Sequence, residues 1–177
     1  SDGTSNPFPG GLDDIRFYSR ALSAAEIKRM YHVGATTQVN VPIATNSSLS
    51  SGLIGHWTFD GSRLLQNVTD SSGAGNNAFL TSAFTSTTTA PGKFGQALSF
   101  DGSDDYVRIP TFNHNIGTGD FTFSAWVYPR RVSTNYEGVM SVGSFAPNLT
   151  VDSGATNQWG GFWASGLASG STLSTNT

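Results

Sequence analysis

The sequence predicts an all-β sandwich with one short helix near the N-terminal end, and three observations carry that prediction. From residue 53 onward, short apolar-alternating runs recur between turn clusters, at the spacing of a sandwich or barrel. Gly, Ser, Thr and Asn fill much of a chain that is only 12% charged. A helical start signal stands at Ser23, before the first long polar stretch.

Residues 12–18 alternate, with Leu12, Ile15 and Phe17 the apolar members around Asp13 and Asp14. That is a half-buried strand with one irregular step. Ser23, Ala24, Ala25 and Glu26 make a capping box, in which the Ser23 hydroxyl accepts the Glu26 amide and the carboxylate reaches back. A helix of about two turns follows, with Ile27, Met30 and Tyr31 on one face. It is too short to be stable alone, so it needs a sheet to pack against, and Gly34 terminates it. Residues 35–51 shift to Thr, Asn, Ser, Val and Pro42. They read as an extended linker, in which 39–43 could pair only at a sheet edge because of the proline.

Further strands are expected at 53–59, 77–80, 97–100, 106–109, 121–128, 138–145 and 159–164. In 121–128, Phe121, Phe123, Ala125 and Val127 share one face, and Thr122, Ser124, Trp126 and Tyr128 the other. Residues 165–171 carry little pattern and read as loosely ordered.

A chain of 177 residues makes one domain or two small ones, and 37% hydrophobic content supplies a core. Net charge is −3 and the only lysines are Lys28 and Lys93, so no basic stripe exists to bind nucleic acid. No apolar run approaches the ~20 residues needed for membrane insertion. No signal peptide is present, so export is expected to be directed by a part outside this sequence. The chain has no cysteine, which removes disulfides and thiolate metal sites. Ser/Thr-rich stretches such as 85–89 and 49–51 suit an extracellular, cell-surface setting. Asn-x-Ser/Thr triplets start at Asn46, Asn67 and Asn148, as N-glycosylation acceptors or by chance in so Asn- and Thr-rich a chain.

Catalysis is not expected. Glycoside hydrolysis needs two carboxylates across a cleft, and the glutamates are only Glu26, in the cap, and Glu137, at a strand start. His32, His56 and His114 make no metal-ligand spacing. Asp13, Asp14, Asp60, Asp70, Asp101, Asp104 and Asp105 fall at strand ends or in loops. Such positions serve turn geometry or supply oxygen to calcium, and both readings stay open. Trp126, Tyr128, Tyr136, Trp159 and Trp163 could stack on sugars or belong to a buried layer.

GLDDIRFYSRALSAAEI at 11–27 resembles the closing strand and helix of a laminin-G-like jelly roll, and GLIGHWTFD at 52–60 resembles its opening strand. DSSGAGNNA at 70–78, PGKFGQALSFDGSDDYV at 91–107 and FTFSAWVYP at 121–129 are similar to the same laminin-G-like, concanavalin A-like superfamily. The resemblance covers well over half of the chain and implies an antiparallel jelly-roll β-sandwich. The ending precedes the beginning. Residues 1–34 then read as the closing strand and helix of one module, 35–51 as the linker, and 52–177 as the incomplete front of the next. The family normally carries more strands between positions equivalent to Thr177 and Ser1, including a Trp-His strand and a Tyr-x-Asn-Gly hairpin, and neither is found here. A longer repetitive parent is expected, or strands supplied by a neighbouring copy of the module or chain.

Catalytic relatives carry closely spaced glutamates on one strand, which this chain lacks. Relatives that hold calcium at a sandwich rim imply Asp13, Asp70, Asn76 and Asp101 as ligands here. Carbohydrate contact would fall to Trp126, Tyr128, Trp159 and Trp163. The functional expectation is a non-catalytic extracellular module of a repetitive surface protein, in adhesion or as a unit of a stalk or filament, with a glycan or surface protein as a further partner. The alternative is a carbohydrate-binding accessory module of a secreted glycoside hydrolase.

Overall fold

The computed structural model describes residues 6–33, 47–61, 67–80, 89–110, 112, 119–130, 137–141, 148–151, 158–163 and 166–172; side chains from 141 onward lie outside the description. Strands β1 (Asn6–Pro7) and β2 (Pro9–Tyr18) precede helix α1 (Ala24–Val33) and a helical turn, α2 (Ser47–Ser50). Then come β3 (Leu53–Trp57), β4 (Asn67–Val68), β5 (Ala78–Leu80), β6 (Thr89–Pro91), β7 (Gln96–Asp101) and β8 (Val107–Arg108). The remaining strands are β9 (Thr122–Pro129), β10 (Glu137–Ser141), β11 (Asn148–Val151), β12 (Gln158–Trp163) and β13 (Gly166–Thr172). The fold is all-β, of the sandwich class, with mostly antiparallel sheets and one helix of ten residues.

The chain forms two compact units. One comprises Ser1–Gly11, Ser99–Asp105 and Val127–Thr177. Its sheet runs β1-β10-β11-β12-β13, with β1 parallel to β10 and every other pair antiparallel. The other comprises Leu12–Leu98 and Tyr106–Trp126. It holds β3, β6 and parts of β2, β7 and β9 from the sheet β3-β2-β7-β6, in which β9 also pairs with β2, and the three-stranded sheet β4-β5-β8.

In the second unit β2 is the central strand. Ile15 pairs with Trp57, Arg16 with His56 and Phe17 with Gly55, with a register shift before Tyr18. The irregular step expected in this strand has a cause: Asp14 sits at φ 48, a left-handed conformation that aspartate tolerates better than most residues. Phe17, Tyr18, Phe59 and Leu98 are fully buried, and Trp57 belongs to the same buried core. The Phe17 ring meets Phe112 edge-on at 5.0 Å and stacks on Phe121 at 5.8 Å. Each such ring contributes about 1.5–3 kcal/mol by leaving water.

The capping box forms as expected. The Glu26 amide donates to Ser23 Oγ at 3.3 Å, and the Ser23 amide donates to Glu26 Oε2 at 2.9 Å. Arg20 adds a two-pronged ion pair to the same carboxylate, which stands near a pKa of about 2, held down first by that guanidinium. The helix runs longer than the two turns expected; Gly34 lies outside the described residues.

The expected face of α1 meets the sheet in part: Met30 takes a weak hydrogen bond from the Tyr18 hydroxyl at 3.6 Å and the Tyr31 ring lies 5.6 Å from Trp126, while Ile27 and Tyr31 stay 50% and 60% exposed. The helix is also anchored at its start: the Leu22 amide donates to Thr122 Oγ1, which donates to the Arg20 carbonyl. Within the stretch expected to be an extended linker, Ser47–Ser50 is a helical turn; 39–43 lies outside the described residues. The loose order expected at 165–171 is also corrected. β13 pairs with β12 from Trp163↔Gly166 to Gln158↔Thr172, and its small residues satisfy a backbone ladder without apolar alternation. Among the described residues no helix is long and apolar enough to cross a membrane.

Candidate functional site

The two aspartates of β2 live in different chemistries. Asp13 is 2% exposed, and its Oδ2 accepts the Phe94 amide at 2.8 Å. That carboxylate fills the turn between β6 and β7, where the Gly92 amide donates to the Gly95 carbonyl at 3.1 Å. A Cβ on Gly92 would stand 2.6 Å from Asp13 Oδ2, so the turn admits only glycine there. Asp13 Oδ1 has no hydrogen-bond partner among the described residues. Burial raises the Asp13 pKa, the Asp14 charge adds to it, and the turn amides oppose it.

Asp14 is better served. His56 Nε2 lies 2.7 Å from its Oδ1, and the Arg16 guanidinium reaches both oxygens at 3.1–3.3 Å. Burial pushes this carboxyl up, but His56 and Arg16 outweigh it, and the pKa falls below the usual value. His56 is the strand residue expected, now with a partner.

Asp70 is closed by donors on both oxygens. The His56 and Ser72 amides reach Oδ1, and the Ser72 hydroxyl and Asn76 amide reach Oδ2, at 2.8–2.9 Å. Burial works against the ionised form, and these hydrogen bonds overcome it to lower the pKa. The Asn76 side chain donates to the Ile54 carbonyl at 2.6 Å, and its backbone carbonyl accepts Trp57 Nε1 at 2.9 Å. Asp70 and Asn76 therefore tie their loop to β3, which is the turn reading.

The set Asp13, Asp70, Asn76 and Asp101 does not fit calcium. The ion takes roughly six to eight oxygens, and Asp70 has none to spare. Asp101 groups instead with Asp104 and Asp105, whose ligand atoms lie within 4.8 Å of one another on the surface. That loop is a hydrogen-bonded turn, with the Ser103 amide on Asp101 Oδ1 and the Asp101 amide on Asp105 Oδ2. Burial raises the Asp105 pKa, helped by the charges of Asp101 and Asp104 and opposed by the Asp101 amide.

Of the aromatic residues expected to meet sugars, Tyr128 is 74% exposed. Trp126 is half-buried and already has company. Tyr31 of α1 stands 5.6 Å away at a tilt of 31°, Phe94 lies edge-on at 6.5 Å, and Lys93 Nζ sits 4.9 Å above the indole. Alternation along β9 identified Trp126; Tyr31, Lys93 and Phe94 come from distant segments and gave no local signal. Trp159 and Trp163 lie on β12 with side chains outside the description, and Tyr136 and His114 lie outside it altogether. Asn67 is exposed on β4; Asn148 lies on β11 with its side chain undescribed, and Asn46 is outside the described residues. Glu137 opens β10 and is fully buried, while Glu26 serves its cap.

Residues 101–177 match a laminin G family model described as the concanavalin A-like lectin/glucanases superfamily. No curated protein matches the chain, and no solved structure matches it. The family match supports the laminin-G-like resemblance over that stretch, and laminin-G-like domains are generally non-catalytic.

Proposed function

We propose that this laminin-G-like chain is a non-catalytic extracellular module of a repetitive surface protein, acting in adhesion or as a structural unit of a stalk or filament. One observation carries the reading. The strand that resembles a module's ending, β2, lies between β3 and β7, which belong to the stretch that resembles a module's beginning. In a tandem array, an ending that completes the sheet of the following beginning couples neighbours through backbone hydrogen bonds rather than through a free linker. Residues 1–34, 35–51 and 52–177 are, on this reading, the ending, the linker and the next front.

The alternative, a carbohydrate-binding accessory module of a secreted glycoside hydrolase, draws on Tyr128, whose exposed ring is free to stack on a sugar face. Glycan contact at Trp126 would have to use a ring already flanked by Tyr31 and Lys93.

Light scattering and negative-stain imaging of the native protein, with localisation by surface labelling, test the reading. Long surface-attached particles with a regular repeat are expected. A discrete secreted polypeptide with an adjoining glycosidase domain replaces it with the alternative, and an intracellular location removes both.

A further inference from the structure

The chain carries a net charge of −3, and its only two lysines are Lys28, on α1, and Lys93. Lys93 sits over Trp126, and Tyr31 packs against the same indole. Lys28 and Ile27 precede Tyr31 by three and four residues on α1, which places them beside it on the helix surface. Ile27 and Tyr31 are the large apolar side chains that α1 leaves in water. Among the described residues, Ile27, Lys28, Tyr31 and Lys93 are all exposed.

Elsewhere in the chain, the loop at 101–105 gathers three carboxylates within 4.8 Å, with Asp101 and Asp104 exposed. Its turn hydrogen bonds hold those charges together against their repulsion, and a cationic surface is the partner that relieves it.

We propose that the face formed by Lys28, Tyr31 and Lys93 on one copy of this chain binds the Asp101–Asp104–Asp105 loop of a second copy. The contact rests on the structural-unit reading above and supplies its partner. It is heterologous, because the two surfaces differ, so repetition builds rings or open chains rather than a closed two-fold pair. Exposed charges are screened over a Debye length of about 8 Å at physiological salt. A single contact is therefore weak and salt-sensitive, and in an array it gains from multivalency.

Sedimentation equilibrium of the full chain tests it, at up to about 1 mM protein with a calcium chelator present. The mass of the wild type is expected to rise with concentration at about 20 mM salt and return to the monomer near 0.5 M. K28E/K93E removes one face. D101S/D104K removes the other while keeping an acceptor for the Ser103 amide. Each variant is expected to be monomeric with unchanged circular dichroism. Their equimolar mixture is expected to form a one-to-one dimer and nothing larger, because each retains one working face. A wild type that stays monomeric at low salt overturns the proposal, as do variants that still associate alone or a mixture that does not. Association that requires calcium overturns it too, and so does a monomer whose Lys28/Lys93 face binds a sulfated saccharide instead. Regular native particles that persist in K28E/K93E sink this contact and leave the module reading standing; a glycosidase domain in the parent does the reverse.

Discussion

His56 Nε2 lies 2.7 Å from Asp14 Oδ1, a diagonal contact between β3 and β2. Arg16, directly opposite His56, completes the group from the strand that carries Asp14. The ionised form of Asp14 is the one the fold prefers, since its pKa is lowered. Its contribution is therefore present above the unfolded value of about 3.9 and lost as pH falls through the folded one. D14N is expected to cost about 1–3 kcal/mol at pH 7, in the range of charge-assisted hydrogen bonds. Urea melts at pH 7 and pH 3 check both parts: the deficit should shrink at pH 3, and a deficit unchanged with pH would remove the ionic explanation.

Asp13 gives the opposite sign. Burial raises its pKa, so the stability tied to its proton is present below about 3.9 and fades as pH rises through the folded value. At pH 7 the ionised group holds one buried oxygen without a hydrogen bond among the described residues. Asn at this position keeps an acceptor for the Phe94 amide and removes the buried charge. In chelator, D13N is expected to gain on the order of 1 kcal/mol at pH 7 and to converge on the wild type toward pH 4. A D13N protein that is less stable, and insensitive to calcium where the wild type is stabilised by it, would place an ion at Oδ1.

The Ser23–Glu26 box was legible because all of its signal lies within four residues. β2 was legible as a strand for the same reason, since Leu12, Ile15 and Phe17 alternate locally. Its partners were not: β3 and β7 lie far along the chain, and pairing at that separation leaves no periodic trace. The periodicity of Ile27, Met30 and Tyr31 correctly gave a helix face but could not say whether anything covers it. β13 was missed because Gly166, Ala168 and Ser169 enter the ladder with β12 without the apolar alternation that marks a strand in sequence. At the site, Asp70 has the same sequence character as an ion ligand and a turn former. Only the four donors around it decide between them.

Removing the cap separates helix stability from sheet stability. S23A deletes the Oγ acceptor of the Glu26 amide but spares the Arg20–Glu26 pair. The expected cost is about 1 kcal/mol, concentrated in faster hydrogen exchange along α1, with β2 amides unchanged. Equal loss of protection in β2 would mean that the helix and the central strand open as one unit.

The seat of β2 in its sheet makes a prediction about chain continuity. Phe17 and Tyr18 are fully buried, the ladder to β3 runs from Ile15 to Tyr18, and Asp13 plugs the turn before β7. None of these contacts depends on the covalent link between α1 and α2. A protease site introduced between residues 33 and 47, and cut in the folded protein, should leave the two fragments bound through size-exclusion chromatography. F17A carries the control. Loss of a ring packed against Phe112 and Phe121 costs about 3–5 kcal/mol, so the cut F17A protein should separate where the cut wild type does not. Wild-type fragments that fall apart on cleavage would show that the linker holds β2 in place, and the coupling of an ending to the next beginning would lose its physical basis.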